Sequence, residues 1–480
     1  MSKTTHAKFE NPLRWLLASL AMAMLLSSLG TSIANVGLPT LAKVFGATFQ
    51  AVQWVVLAYL LAITTLVVSV GRLGDLVGRR RLLLAGVILF TVASAASGLA
   101  PTLGWLIAAR AAQGLGAAVM MALTVAFVGQ VVPKARTGRA MGLLGTMSAI
   151  GTALGPSLGG VLIATLGWRA LFLVNVPLGL LTLVLALRFL PGDPPRNATK
   201  PAGFDPIGTL LLGLTLGAYA LAMTLGRGGF GVLNLALLCV AVGIGALFVQ
   251  AERRVASPLV QLGLFRDPVL TASLAMGALV ATVMMATLVV GPFYLAHALG
   301  LDAARVGLVL AAGPFVAAIT AAPAGRLADR YGAARMTLVG LVGMAGGCTV
   351  LALLPPSFGV IGYTVPLVLV TAAYALFQTA NNTGVMLNVS AEQRGVVSGM
   401  LNLSRNLGLI TGASVMGAVF VFATGAADVA TAPAEAIAAG MRSTYAVAAV
   451  LIVLALAVAR AGRLMALRHN RWPSPGPLHP

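Results

Sequence analysis

Carboxylates are scarce in this chain: eleven aspartates and glutamates stand among 480 residues, and charged residues of either sign make up only 9%. A folded domain of this size wraps its core in charged surface, so the shortage excludes a water-soluble globule. There are only two cysteines, Cys239 and Cys348. Both fall in the middle of apolar stretches, which excludes a disulfide framework and leaves them as small side chains packing between helices. Histidine is equally thin: of His6, His297, His469 and His479, three sit in the tails. No metal cluster and no nucleophile–base pair can be assembled from such a set, so an enzyme, a metal and a cofactor are not expected. No glycine-rich phosphate cradle occurs and no polar segment is long enough to house an ATPase, which excludes a self-contained primary pump.

Apolar residues are what the chain has in abundance, at 59% of the total and a mean hydropathy of +0.98. Apolar runs of about 18 residues or more, long enough to cross about 30 Å of hydrocarbon as helix, recur along nearly the whole length. Fourteen spans are predicted, near 15–38, 52–70, 82–99, 105–128, 140–164, 170–190, 207–225, 232–249, 269–299, 306–324, 336–354, 363–387, 396–421 and 444–459. The last is short, with Arg442 and Arg460 placed to snorkel to the two interfaces. The first is too long for a signal-peptide core and stays as a helix.

A net charge of +20 would suggest nucleic acid in a soluble protein, but its placement marks topology instead. On the side opposite the amino terminus lie only Lys43, Arg169, Arg227, Arg305 and Arg442, and Arg110 and Arg405 fall inside spans; every other lysine and arginine shares the amino-terminal side. The positive-inside rule then puts both termini in the cytoplasm, in agreement with an even number of spans. Lipid is the expected surroundings and nucleic acid is not an expected partner.

Glycine landmarks repeat along the chain. Gly46 and Gly300, Gly71 and Gly325, Asp75 and Asp329, and Gly78 and Gly332 are each 254 residues apart. Gly138, Gly142, Gly151, Gly155 and Gly160 recur 257 residues later as Gly395, Gly399, Gly408, Gly412 and Gly417. The offset corresponds to eight spans, an even number, so two six-helix units share one orientation and a site is expected between them. The two surplus spans follow the Pro/Gly-rich stretch 191–206. The expected domains are 1–190, a first six-helix bundle; 191–252, a linker with two additional helices; and 253–480, a second six-helix bundle with a tail.

Between the second and third spans the chain reads Gly71-Arg-Leu-Gly-Asp75-Leu-Val-Gly78-Arg79-Arg80-Arg81, and Gly325-Arg-Leu-Ala-Asp329-Arg330-Tyr-Gly332 repeats it. The glycines allow a tight turn. Asp75 is placed to cap a helix start or pair with arginine, so Asp75, Arg79, Asp329 and Arg330 are candidates for a latch that opens when the two units rock apart. In the fifth span Gly151, Gly155 and Gly159 recur every four residues beside Pro156 and Gly160, a smooth stripe for close helix packing with a kink. Arg110 and Arg405 are the two arginines within spans, where a cation faces a cavity or a partner rather than lipid, so both are candidates for transport and coupling, with Arg110 the first choice. Asn35, Gln53, Tyr59, Gln113, Gln378, Asn381 and Asn382 supply polar groups from which a cavity can be lined. Any one of these amides is more often helix glue than ligand.

These segments resemble the signatures of the major facilitator superfamily across nearly the whole chain. The turn at 71–81 resembles the family's loop motif, and Leu106-Ile-Ala-Ala-Arg110-Ala-Ala-Gln113-Gly114 its buried-arginine motif. Gly151-Thr-Ala-Leu-Gly155-Pro156-Ser-Leu-Gly159-Gly160 resembles the antiporter motif, and Trp168-Arg169-Ala-Leu-Phe172-Leu-Val-Asn175-Val-Pro177 resembles the entry to the sixth span in the fourteen-helix drug:proton antiporter branch. The resemblance implies an all-α membrane protein with the major facilitator fold in a bacterial inner membrane. It also implies alternating-access export of small organic molecules by proton antiport. Two alternatives stay open: uptake or facilitated movement of an organic anion, and a membrane sensor that transports nothing.

One departure from that branch is plain. Its members carry an aspartate in the first span before Asn-Val-Ala-Leu-Pro, and here Gly30 stands at that place, ahead of Asn35-Val-Gly-Leu-Pro39. None of the eleven acids falls in the middle of a span. Arg110 and Arg405 without a compensating acid make an electropositive cavity, which favours anionic or neutral substrates over lipophilic cations. His297, near the end of the ninth span, and the rim acids Asp75 and Asp329 are the candidate groups for proton coupling.

Overall fold

The computed structural model of the protein describes residues 4–67, 69–193, 205–225, 231–255, 258, 262–387, 394–426 and 429–471. Among the described residues, fourteen helices are long and apolar enough to cross a membrane. We number them α1 (Leu13–Phe45), α2 (Phe49–Val67), α3 (Arg79–Gly98), α4 (Leu103–Val131), α5 (Leu143–Leu166), α6 (Ala170–Phe189), α7 (Pro206–Thr224) and α8 (Val232–Glu252). The rest are α9 (Pro268–Ala298), α10 (Ala303–Thr320), α11 (Ala333–Leu353), α12 (Gly359–Leu387), α13 (Gly399–Thr424) and α14 (Ala434–Met465). Serine and threonine hydroxyls inside these helices mostly donate back to carbonyls three or four residues earlier, as at Thr64, Thr91, Ser94, Thr371 and Thr444. Such bonds let a hydroxyl sit in hydrocarbon without an unsatisfied donor.

Three expectations change. The segment 71–81 is not simply a turn: Val70–Val77 forms a short helix and α3 starts at once after Gly78. The last span is not short, because its helix runs from Ala434 to Arg471; the arginines that closed the apolar window do not end the helix, since their long stems let the charges leave the bilayer. The first helix likewise continues through Pro39 to Phe45.

The internal repeat is visible in backbone conformation and in packing. Gly46 and Gly300 have φ of 57° and 66°, and Gly78 and Gly332 have φ of 105° and 88°. A side chain at these positions would be strained, which is why glycine recurs there. Ser32 of α1 donates to the Gly151 carbonyl of α5 at 3.2 Å, and Thr282 of α9 donates to the Gly408 carbonyl of α13 at 3.1 Å. Gly151, Gly155 and Gly159 lie against Leu25, Ser32 and Val36 of α1, while Gly408 and Gly412 lie against the Ala278 and Thr282 carbonyls of α9. One interlocking scheme thus serves both helix groups.

The additional helices α7 and α8 form a hairpin on the flank. Trp54 Nε1 donates to Thr224 Oγ1 at 3.0 Å, a methyl at Gly213 would meet Thr65, and the Ser69 and Thr209 hydroxyls are 2.7 Å apart. Each step from 54 to 65 on α2, and on to 69 just after it, is matched by an equal step back along α7, so the two helices stay in antiparallel register. At the hairpin turn Asn234 donates to the carbonyls of Ala222 and Leu225. Helix α7 also packs on the π-helical turn Gly412–Met416 of α13, and therefore touches both groups.

Candidate functional site

The first helix group closes around Arg110, whose side chain is 0% exposed. Its Nε donates to the Val55 carbonyl of α2 at 2.9 Å and one terminal nitrogen to the Gly30 carbonyl of α1 at 2.9 Å. The other reaches Gln113 Oε1 at 2.5 Å, and Gln113 in turn donates to Ser94 Oγ of α3 at 2.7 Å. The guanidinium lies 4.1 Å from the centre of the Tyr59 ring, and the Tyr59 hydroxyl donates to the Ser27 carbonyl at 2.7 Å. One cation therefore ties α1, α2 and α4 together and, through Gln113, reaches α3. The charge is answered by carbonyl dipoles and a π face instead of a carboxylate.

The Gly30 position explains how this works without the aspartate. Arg110 takes the backbone carbonyl of the residue that replaces the acid. A methyl at Gly30 would stand 2.9 Å from the Tyr59 hydroxyl and 3.3 Å from the Phe90 ring. The pocket is filled by aromatic side chains. Asn35 donates to the Thr31 and Ser32 carbonyls of its own helix, and its Oδ1 has no partner among the described residues.

Gln53 does something different. Its Nε2 donates to the Ala413 carbonyl at 3.0 Å, from the first helix group into the second. The π-helical turn of α13 displaces the regular bonding pattern there and leaves a carbonyl available. Phe49 stacks edge-on against Phe293 at 4.6 Å and lies 5.4 Å from Phe420. A methyl at Gly160 of α5 would stand 2.5 Å from the Ala303 carbonyl and 3.0 Å from Gly307 Cα of α10, and Pro156 presents its carbonyl to Gly307. These contacts join the two groups toward the end opposite the termini, which we call the far end.

In the second group the polar residues stand in another state. Asn381 is buried and donates to the Ser273 carbonyl of α9 at 3.4 Å. Gln378, Asn382 and Arg405 are half-buried, and among the described residues none of the three has a hydrogen-bond or ion-pair partner. Tyr374, one turn before Gln378 on α12, is half-buried as well and was not anticipated; its spacing of four from Gln378 is the signal that could have found it.

His297 sits in the π-helical turn Tyr294–Ala298 at the far end of α9, with its ring 5.8 Å from that of Phe293. Of the latch candidates, the Asp75 side chain lies outside the described residues, Arg79 is half-buried, and Asp329 and Arg330 are exposed, with Arg330 5.3 Å from the Tyr331 ring centre. The carboxylate found at the start of α3 is Asp193, from the linker after α6. It accepts from the backbone N–H groups of Arg80 at 2.7 Å and Arg81 at 3.3 Å, and would collide with any side chain at position 78. Sequence reasoning missed this because a partner 113 residues away leaves no local pattern. Asp205, Asp267 and Asp302 likewise accept from backbone N–H groups at the starts of α7, α9 and α10. Much of the small stock of acid thus serves helix N-termini. Among the described residues no three His, Cys, Asp or Glu side chains converge.

Comparison with known proteins agrees with this architecture. The family model described as Major Facilitator Superfamily matches residues 20–413. The uncharacterized transporter YebQ of Escherichia coli (strain K12) is 34% identical over 399 residues, 83% of this chain and 87% of its own length. The multidrug resistance protein Stp of Mycobacterium tuberculosis (strain ATCC 25618 / H37Rv) is 34% identical over 406 residues, 84% of this chain and 75% of its own. In structure, a bacterial homolog to the human lysosomal transporter Spinster, crystallised in an inward-facing and unoccupied conformation, superposes with a TM-score of 0.69. It is 17% identical and covers 96% of this chain and 99% of that one, a likeness of fold.

Proposed function

The chain belongs to the major facilitator superfamily and is an integral multi-pass membrane transporter rather than an enzyme, and on that premise we propose that it exports small organic molecules by alternating access, coupled to proton antiport. The observation that carries this reading is the uneven joining of the two repeat-related groups. Gln53, Phe49 and the Gly160–Gly307 approach link them toward the far end, while Arg405, Gln378 and Asn382, nearer the terminal end, have no partners among the described residues. A site held between two parallel repeats, with one gate shut, is what alternating access requires.

With the termini cytoplasmic, as the distribution of basic residues supports, the shut gate faces outward and the unpartnered residues face the cytoplasm, where an exporter loads. The glycine stripe of α5 supports the export direction through its resemblance to the antiporter motif. On this reading the chain divides at 1–190, 191–252 and 253–480, and the helix ends bearing Asp75, Arg79, Asp329 and Arg330 re-engage when the cytoplasmic side closes. His297, Asp75 and Asp329 are the groups from which the proton carrier is drawn. The substrate is anionic or neutral, since no carboxylate accompanies the two intramembrane arginines.

Proteoliposomes test this. With an imposed pH gradient, anionic, neutral and cationic compounds are followed together with a lumenal pH dye. Antiport predicts uphill movement of substrate with opposite movement of protons, both abolished by a protonophore. Flux that only runs downhill, indifferent to the proton gradient, would replace it with facilitated transport.

A further inference from the structure

We propose that Arg405, with the Gln378 amide at its level, receives the oxyanion group of an organic anion, and that Arg110 takes no direct part in holding substrate. This deepens the transporter reading above and rests on it. Packing registers bring the two residues to one depth. On α12, the Tyr363 hydroxyl stands against Gly291 of α9 and Asn381 donates to the Ser273 carbonyl. The two contacts are eighteen residues apart on each helix, in opposite directions, so α12 runs antiparallel to α9 without slippage and Gln378 lies level with Met276. On α13, Ser404 donates to the Leu274 carbonyl at 2.5 Å, Gly408 abuts the Ala278 carbonyl and Gly412 the Thr282 carbonyl. These are four-residue steps on both helices, and they set Arg405 level with Ala275. One residue of helix rises about 1.5 Å, so Gln378 and Arg405 differ by about that much in depth.

Their directions agree as well. Val365 and Leu369, at 63% and 47% exposure, mark the outer side of α12. Tyr374 and Gln378 follow them by nine residues each, two and a half turns, which turns both to the opposite side. On α13, Ser404 and Gly408 lie against α9, and Arg405 is about 100° round from Ser404. Leu409, one turn beyond Arg405 on the same face, is buried in the core cluster that also contains Leu29 and Ile33 of α1 and Val56 of α2. Arg405 lies eight residues, about 12 Å of helix, toward the terminal end from Ala413, where Gln53 joins the two groups.

A cation inside a membrane span is costly, and such residues pair or face a ligand path. Arg110 meets that cost with carbonyls and a ring. Arg405 has no partner among the described residues, and none of the acids in the sequence lies in its span. A bidentate oxyanion fits the guanidinium fork, and an amide at the same depth supplies a further donor.

The test uses three probes sharing one fluorescent naphthalene body and differing only in headgroup: sulfonate, neutral sulfonamide and trimethylammonium. Binding is titrated on the full-length protein in detergent, and flux is measured separately in proteoliposomes. The expected result is at least tenfold tighter binding of the sulfonate than of the sulfonamide. Arg405→Gln and, to a smaller extent, Gln378→Leu should erase that preference while leaving the sulfonamide unchanged, and Arg405→Lys should recover part of it. Equal binding of the three probes, a preference for trimethylammonium, no sulfonate binding, or uniform weakening of every probe in Arg405→Gln would each overturn the site. Binding that discriminates by headgroup while flux is absent would count against the exporter reading and leave the site standing. Flux without discrimination would do the reverse.

Discussion

Arg110 in the first helix group ends on two backbone carbonyls, a glutamine and a tyrosine ring, whereas Arg405 in the second ends on no described residue. The same contrast extends to their neighbours. Tyr59 and Gln113 are tied into the Arg110 network, while Gln378 and Asn382 have no partner among the described residues. Two units built on one repeat, with the same glycine interlocks, have thus spent their polar residues differently: the first uses Arg110, Gln113 and Tyr59 to join its own helices, while in the second Gln378, Asn382 and Arg405 have no partner among the described residues. The lesson is that a buried cation in a membrane helix cannot be assigned a role from its residue type; what decides is whether neighbouring helices turn carbonyls toward it.

The sharpest way to break this comparison is to remove each arginine and measure stability. Arg110→Ala removes the charge-assisted bonds to the Val55 and Gly30 carbonyls and leaves the Gln113 amide oxygen unpaired in an apolar interior, and hydrogen bonds to charged groups contribute about 1.5–3 kcal/mol each. Thermal unfolding in detergent should show a loss of about 3 kcal/mol or more, with poor folded yield. Arg405→Gln should leave the unfolding midpoint within about 1 kcal/mol of wild type. Equal destabilisation by the two would erase the distinction.

Next in size is Gly114→Ala, which puts a methyl 2.5 Å from the Tyr59 carbonyl and 2.9 Å from Ala62 Cβ, against backbone that cannot yield. Overpacking of this kind costs about 1–3 kcal/mol, and the same assay should register it. Gly384→Ala on α12 is the counterpart, since its nearest neighbour would be Ala333 Cβ at 3.5 Å, ordinary contact distance. It should be close to neutral.

A smaller effect is expected at the joint between the groups. Gln53→Leu removes the bond to Ala413, and hydrogen bonds between membrane helices contribute about 0.6 kcal/mol on average. Spin labels at exposed Lys43, in the last turn of α1, and exposed Asp302, just before α10, should show the longer-distance population rising by about threefold, which is what 0.6 kcal/mol amounts to. The smallest change should come from Ser69→Ala, which loses a bond between the segment after α2 and the hairpin only. Its label distances should not move, and if they shift as far as those of Gln53→Leu, the hairpin takes part in gating and does not simply ride on the first group.

How much of this was legible beforehand follows from the range of each interaction. The fourteen spans could be read because crossing a bilayer is a demand on consecutive residues. The repeat could be read because Gly46, Gly78, Gly300 and Gly332 meet a backbone requirement local to each position. The extent of the last helix was misread, since arginines end an apolar window without ending a helix. Asp193 at the start of α3 and Ser94 beneath Gln113 were not legible, because each partner is set by a different segment. That Arg110 and Arg405 are costly in a membrane was visible; which of them is satisfied was not.

By itself, then, the amino-acid sequence determined that the chain is an all-helical membrane protein of two parallel six-helix repeats with a two-helix insertion, because hydropathy and glycine spacing act through neighbours along the chain. Only the tertiary structure decided which polar residues are structural and which are available. A carbonyl turned outward from α1 or α2, or freed by the π-helical turn of α13, becomes a partner only when another helix is laid against it.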